Sequence, residues 1–292
     1  MDLNIKRFLK VSMCPNCNSE LLFIKNTFTC NNCNTKFSFN IDDIPIFFNR
    51  SDSVKYEDKY EDKIFVDRYA GLLAYGYINY KRGQMESLHR TVSEFILSTR
   101  ITNNLESVLD VGCGPGRALH TCGKHLQDSF ILGIDLSETM LRIAKKILLS
   151  NKKITFDLTS QGFSNSELLG FNYNNIFLIQ GNAEELPLKE NSFDMVISVN
   201  LIDRTVNPLL CIKSICSVLK PGGFLIFSSP LNWQNKEHWD IYPDKYSVCK
   251  LFKNCGLQIE EFFDGLIYRE ALDYRGSYSD FNTVLIKAIK VE

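Results

Sequence analysis

No run of apolar residues in this chain is long enough to cross a bilayer, and residues 1–10 lack the apolar core of a secretory signal. Membrane-spanning and exported classes are set aside, and the chain reads as soluble and cytoplasmic. It has no surplus of either charge: 33 Lys and Arg face 34 Asp and Glu, for a formal net charge of -1. A chain so balanced has no global field to draw it onto nucleic acid. Internal repeats and low-complexity tracts are also missing. What it does have is length and core. Its 292 residues exceed one average domain, and 45% of them are hydrophobic, which suits one large domain beside a small one. Ten cysteines in a reducing compartment point to metal ligation or free thiols rather than a disulfide framework.

Residues 108–117, Val-Leu-Asp-Val-Gly-Cys-Gly-Pro-Gly-Arg, organise the rest. Val108, Leu109 and Val111 suit a buried parallel strand, with Asp110 near its C-terminal end. Gly112, Gly114 and Gly116 then turn the chain tightly, and Arg117 begins a helix. Open α/β sheets bind ligands at such a turn, and glycine lets backbone approach the ligand closely. The dinucleotide spacing G-x-G-x-x-G would need a third glycine at position 117, which is Arg117. Asp135 ends the next apolar run, residues 130–134, where a carboxylate can accept hydrogen bonds from two ribose hydroxyls. The plainer role for Asp110 and Asp135 is to cap helices.

The alternate-glycine spacing with both acids resembles the class I S-adenosylmethionine (SAM) methyltransferases. That resemblance implies an α/β, Rossmann-like fold with a seven-stranded sheet over residues 104–292, and SAM as cofactor. It also implies a cofactor-binding set of Asp110, Gly112, Gly114, Gly116, Asp135, Leu136, Asn182, Ala183 and Asn200. Asn182 stands where the family usually has Asp at the adenine, and its carbonyl still offers an acceptor. Later strands are expected at 176–180, 193–199, 224–228, 257–263 and 282–289. Helices are expected at 138–149 (capped by Ser137), 208–219 and 244–255, with a polar insertion over 150–175.

Cys14-Pro15-Asn16-Cys17 and Cys30-Asn31-Asn32-Cys33 are two C-x-x-C pairs flanking a segment that can form a hairpin. Four thiolates satisfy tetrahedral Zn²⁺ with no open position, which makes a structural site. So short a segment cannot bury enough core to fold alone, and metal binding supplies the missing free energy. Cysteines that merely pack as small apolar residues are the bland alternative. A redox pair is disfavoured by the second matching C-x-x-C. Together with Phe37 to Phe48, the segment resembles the small zinc ribbon that partners or precedes several methyltransferases. The expected division is a ribbon over 1–49, a linker and helical lid over 50–103, and a methyltransferase domain over 104–292. Metal loss is expected to loosen 1–49 and leave the rest folded. Tyr69, Tyr75, Tyr77 and Tyr80 either pack the lid or contact substrate. Cys113, Cys122, Cys211, Cys216, Cys249 and Cys255 are expected to pack apolar surfaces.

After the fourth strand comes Asn200-Leu201-Ile202-Asp203-Arg204, and later Arg269-Glu270. With Ser229-Pro230, Trp233 and Trp239, these resemble the methyltransferase domain of ovothiol synthases, which methylates a ring nitrogen of a thiolated histidine. The stretch between Trp233 and Trp239 is shorter than in that family, and a ribbon stands in place of its sulfoxide synthase, so a related amino acid stays open. The resemblance implies a small zwitterionic substrate whose carboxylate is held by Arg204 and Arg269 and whose ammonium is held by Asp203 or Glu270. Structural ion pairs are the alternative for all four. Two other readings remain: an RNA base methyltransferase with a zinc ribbon, and a non-catalytic SAM-fold subunit that activates a partner.

Overall fold

The computed structural model describes residues 2–48, 86–157, 159, 165–271 and 278–291. Asp2 accepts hydrogen bonds from the amides of Asn4 and Ile5, capping helix α1 (Leu3–Val11). Strands β1 (Leu21–Ile24), β2 (Thr27–Cys30) and β3 (Lys36–Phe37) form a small antiparallel sheet. Lys25 and Asn26 between β1 and β2 both have positive φ, the geometry of a two-residue hairpin turn. The hairpin is the one the sequence predicts; α1 is an addition to it.

The chain continues through α2 (Glu86–Thr102), β4 (Ser107–Val111), α3 (Arg117–His125), β5 (Phe130–Asp135) and α4 (Glu138–Leu149). A hairpin of β6 (Lys153–Phe156) and β7 (Ser166–Leu169) precedes β8 (Ile176–Gln180) and β9 (Phe193–Val199). A single 3₁₀ turn, Ile202–Arg204, leads to α5 (Pro208–Val218), β10 (Leu219–Ser229), α6 (Lys236–Ile241), α7 (Lys245–Asn254), β11 (Leu257–Ala271) and β12 (Tyr278–Lys290). The large sheet has the order β11-β12-β10-β9-β4-β5-β8. Its five strands from β8 to β10 are parallel, and β12 runs antiparallel to both β10 and β11. From β4 the chain builds outward to β5 and β8, then returns to β9 on the other side. The topological switch point therefore lies between β4 and β9, at the carboxyl end of the strand that carries Asp110. This is the seven-stranded Rossmann-like α/β fold that the sequence predicts.

Alternate residues along the strands face opposite layers. Val108, Ile131 and Ile226 pack against α2, α3 and α4 through Ile96, Leu119 and Ala144. Leu109, Leu132 and Leu225 pack against α5 and α7 through Ile212 and Phe252. The ribbon belongs to this second layer. Phe8 of α1 is fully buried, with its ring centroid 5.4 Å from Phe28, 5.2 Å from Phe47 and 5.2 Å from Phe177 of β8. Truncating such a residue costs about 3–5 kcal/mol. Because the core of residues 1–48 runs on into the sheet, independent loosening of that segment does not follow from the packing.

The bounds of three expected strands shift. β11 and β12 reach past 263 and start before 282, because Asp264-Gly265 is absorbed as a bulge between Phe263 and Leu266 rather than ending the strand. The Lys220–Gly223 turn is likewise spanned by β10 as a register shift. The 150–175 insertion contains β6 and β7, and it ends by laying Tyr173 over α3. A Cβ on Gly123 would lie 2.7 Å from that ring, and Tyr173 Oη is 3.0 Å from His120 Nδ1. The linker over 50–64 and the four lid tyrosines lie outside the described residues. Among the described residues no helix is long and apolar enough to cross a membrane.

Candidate functional site

The turn after β4 is pinned to the end of β5. The Gly112 and Cys113 amides donate to the Ile134 carbonyl at 2.8 and 3.0 Å, and the Gly114 amide donates to Asp135 Oδ2 at 2.7 Å. Asp135 Oδ1 accepts from the Ser137 amide at 2.8 Å at the start of α4. Capping is thus part of Asp135's role. Gly112, Gly114 and Gly116 all have positive φ. They differ in what surrounds them. A Cβ on Gly116 would lie 2.5 Å from Leu148 Cδ1, whereas nothing stands within 4 Å of one on Gly114. Gly116 is therefore a packing requirement, and Gly114 faces open space into which a ligand can approach the backbone. Asp110 is buried below this turn, and its carboxyl is pushed up to about 8 by burial and then by the charge of Asp135.

Leu136 and the loop after β8 form the next wall. Gln180 Nε2 donates to the Leu136 carbonyl at 2.9 Å, and the Gly181 amide donates to the Asp135 carbonyl at 3.0 Å. Asn182 and Ala183 are half-buried beside them, with Asn182 Oδ1 accepting from the Glu184 amide at 3.0 Å. Glu184 in turn accepts from the Val206 and Asn207 amides at the entry to α5. The structure therefore gathers Asp135, Leu136, Asn182 and Ala183 at the carboxyl ends of β5 and β8. Gln180 escapes the sequence reading, since an uncharged residue closing a strand carries no pattern.

The ends of β9 and β10 complete the crevice. Asn200 adopts φ +54°, a conformation asparagine tolerates, and its Oδ1 accepts from Ser228 Oγ at 3.0 Å. A Cβ on Gly112 would lie 2.8 Å from Leu201 Cδ1, so this corner abuts the glycine turn. Asp203 Oδ1 accepts from Ser229 Oγ at 2.9 Å, while its Oδ2 makes no hydrogen bond and lies 3.4 Å from Arg204 Nε. The Asp203 side chain is 0% exposed and that of Arg204 is 48% exposed. Burial pushes the Asp203 carboxyl up, opposed by Arg204 and the Ser229 hydroxyl. Of the four charged candidates, Asp203 and Arg204 come together, the acid behind and the base in front. Arg269 and Glu270 stand in β11 opposite Asp280 and Ser279; their side chains lie outside the described residues.

The four N-terminal cysteines converge. Cys14 and Cys33 Sγ are 3.7 Å apart, Cys17 and Cys30 Sγ are 3.4 Å apart, and all four lie within 4.8 Å of one another. A tetrahedral Zn²⁺ with Zn–S near 2.3 Å sets sulfurs about 3.8 Å apart, so the donor set fits the ion. The Asn32 and Cys33 amides point at Cys30 Sγ at 3.4 and 3.5 Å. The Ser19 hydroxyl and amide draw the Cys17 thiol down to about 6, while burial pushes Cys14 up to about 12. The other six cysteines are buried or half-buried, as expected of packing residues.

The sequence profile of a family described as a methyltransferase domain matches residues 102–274. The chain belongs to that family. With the fold above, it is a class I SAM-dependent methyltransferase domain with a zinc-ligand type cysteine cluster at its N-terminus. The ubiquinone/menaquinone biosynthesis C-methyltransferase of Wigglesworthia glossinidia brevipalpis is 30% identical over 174 residues, covering 56% of this chain and 62% of that protein. A malonyl-acyl-carrier-protein O-methyltransferase of Marinomonas sp. (strain MWYL1) is 31% identical over 140 residues, covering 48% of this chain and 44% of that one. The chain thus spans about half the length of the curated relatives it matches. Among solved structures, the CurJ carbon methyltransferase aligns with a TM-score of 0.54 at 15% identity over 79% of this chain and 61% of that one, a likeness of fold alone. The relatives' names divide between C- and O-methylation.

Proposed function

We propose that this methyltransferase acts on a small zwitterionic acceptor, a ring nitrogen of a thiolated histidine or of a related amino acid. The observation that carries the reading is the Asp203–Arg204 pair at the carboxyl end of β9, at the corner that abuts the glycine turn. Arg204 is half exposed, and a guanidinium can grip a carboxylate with two parallel hydrogen bonds. Asp203 is closed off behind it and holds Arg204 and Ser229 in place. Direct contact of Asp203 with a substrate ammonium gives way to that positioning role, and Glu270 takes the ammonium in this reading.

Asp135 would hold the ribose hydroxyls, with Asp110, Leu136, Asn182, Ala183 and Asn200 lining the rest of the cofactor. The backbone of Gly112, Gly114 and Gly116 would admit it closely. SAM supplies, when bound, a methyl group on a sulfonium already activated for displacement. The chain's own contribution is alignment, and oriented reactants are worth roughly 7–11 kcal/mol of barrier. Arg204 would orient the acceptor with its ring nitrogen toward the methyl group, and the methylated ring would shed its proton to water. A neutral imidazole needs no strong base near pH 7. Cys14, Cys17, Cys30 and Cys33 hold one structural Zn²⁺, which supplies folding free energy and no chemistry. Residues 1–49, 50–103 and 104–292 act as ribbon, linker with lid, and catalytic unit.

Transfer of labelled methyl from SAM to thiolated histidine, to a metabolite extract and to total RNA, run side by side, tests the reading. Amino-acid methylation is expected, with Arg204→Ala losing more than about tenfold in kcat/KM while SAM affinity holds, since losing one partner of a desolvated charge pair costs about 2–5 kcal/mol. Methylation of RNA with steep salt dependence would sink it. So would SAM binding with no transfer in any arm, the behaviour of a non-catalytic subunit.

A further inference from the structure

The loop from Gly181 to Leu188, which the cofactor reading places at the adenine, is gripped at both ends by the N-terminal segment. At its start, the Gln180 amide donates to the Pro45 carbonyl at 2.9 Å, and the Gln180 carbonyl accepts from the Phe47 amide at 2.8 Å. Ile46 thereby runs parallel to the last residue of β8. At its end, the Met13 amide donates to the Pro187 carbonyl at 3.0 Å, and the Lys189 amide donates to the Val11 carbonyl at 2.7 Å. Ser12 pairs antiparallel with Leu188, and both are buried. The next residue after Met13 is Cys14, the first of the four clustered thiols.

A third contact reaches the opposite wall. Asp42 Oδ2 lies 2.8 Å from Arg142 Nε, and the Asp42 carbonyl accepts from Lys145, both on α4. That helix begins two residues after Leu136. Gln180 joins the walls from inside, since its side-chain amide donates to the Leu136 carbonyl. β8 is the edge strand of the large sheet. Among the described residues, Asn4 of α1 donates to the Ile176 carbonyl at its start, and the Pro45–Phe47 stretch pairs with Gln180 at its end. Without that stretch, the adenosine side of the crevice would lose the backbone partners of Gln180.

We infer that the ribbon is a clamp on the cofactor crevice. Residues 11–13 and 45–47 set the shape of the 181–188 loop, so that metal occupancy and SAM affinity are coupled. The inference rests on the cofactor reading given above. Gln180 is its positioning residue, acting through Leu136 and Gly181. Coupling of this kind is reciprocal: whatever factor the metal adds to SAM affinity, SAM adds to metal affinity.

Calorimetric titration of the full chain with SAM, zinc-loaded and then stripped by a chelator, reads the coupling directly. Stripping should weaken binding about tenfold, within the about 5–150-fold span of allosteric couplings. Hydrogen exchange at the amides of 181–188 should quicken. Saturating SAM should slow zinc extraction by the chelator. Stripping can also unfold the N-terminal segment outright, so Lys189→Pro, which removes the amide that donates to the Val11 carbonyl, carries the test independently with zinc retained. One lost hydrogen bond should weaken SAM binding about three- to tenfold and speed exchange in the 181–188 loop, with no change in zinc content. Equal affinity and equal exchange in stripped protein and in Lys189→Pro would overturn the clamp. Failure of the zinc-loaded parent to bind SAM at all would overturn the cofactor reading, and the clamp with it.

Discussion

Gly114 and Asp135 are joined by a 2.7 Å hydrogen bond, from the amide at the apex of the glycine turn to the carboxylate that ends β5. One side chain thus both shapes the turn and faces the place where a nucleoside would lie. Asp135→Ala should weaken SAM and its demethylated product alike. Charge-assisted hydrogen bonds contribute about 1.5–3 kcal/mol, so affinity should drop at least about tenfold by calorimetry. Unchanged affinity would leave Asp135 as a cap and nothing more.

Gly114 and Gly116 separate ligand from packing. Both have left-handed backbone, which costs an alanine about 1–2 kcal/mol. Gly114→Ala adds a methyl group to open space and should lower thermal stability only by that amount, yet lose SAM affinity at least about tenfold. Gly116→Ala meets the fully buried Leu148 and should lose roughly 2–4 kcal/mol of stability. Differential scanning calorimetry beside SAM titration checks the split; equal losses in both variants would contradict it.

Asp110 makes stability fall with pH. The folded chain keeps its proton up to about 8, against 3.8 for the ordinary group, so between those values the folded state binds more protons than the unfolded one. Its contribution is whole below the ordinary value and is lost as pH rises toward about 8, at up to about 1.4 kcal/mol per unit. His120, drawn down to about 4 by burial and nearby cations, and His89, drawn down to about 3 by burial, act in the opposite sense at acid pH. Asp110→Asn removes only the first effect. Urea unfolding of parent and variant, followed from about pH 5 to 8, should show the variant gaining steadily on the parent. A constant gap would mean that Asp110 is ionised in the folded chain.

Elemental analysis should find one zinc per chain, lost in Cys14→Ser. Cys14, Phe8, Phe28 and Phe47 share one core with Leu109 and Ile134 of the large sheet. Melting of the whole chain should therefore move down by at least about 5 °C, a few kcal/mol of the metal's folding energy. A variant that loses zinc while the catalytic unit melts as before would show two separate cores.

The parts legible in the sequence are those written locally. A strand, three alternate glycines and an acid one strand later spell the switch-point turn without help from distant residues, and paired C-x-x-C knuckles do the same for a metal site. α1 has a signal too: Asp2 as cap and Ile5, Phe8 and Leu9 on one face. Nine residues are too few for such periodicity to stand out before Phe177 is known to receive Phe8. Asp203 reads two ways in the sequence. A charge after a buried strand suits either substrate contact or a structural ion pair, and only the fold shows Ser229 and Arg204 beside it. Gln180 has a side-chain partner 44 positions away and backbone partners more than 130 positions away, and no local rule announces it.

That separation has a consequence for synthesis. Phe47 leaves the ribosome about 130 residues ahead of Gln180, and at roughly 5–20 residues per second the wait is about 7–26 s. Over that interval the N-terminal segment can close around its own rings, Phe8 against Phe28 and Phe47, while the face meant for Phe177 stays uncovered. When β8 at last emerges, its outer edge meets a strand from its own chain before it can meet one from another. The N-terminal segment is thus made well before the strand it docks on, a tethered escort for the β8 border of the sheet.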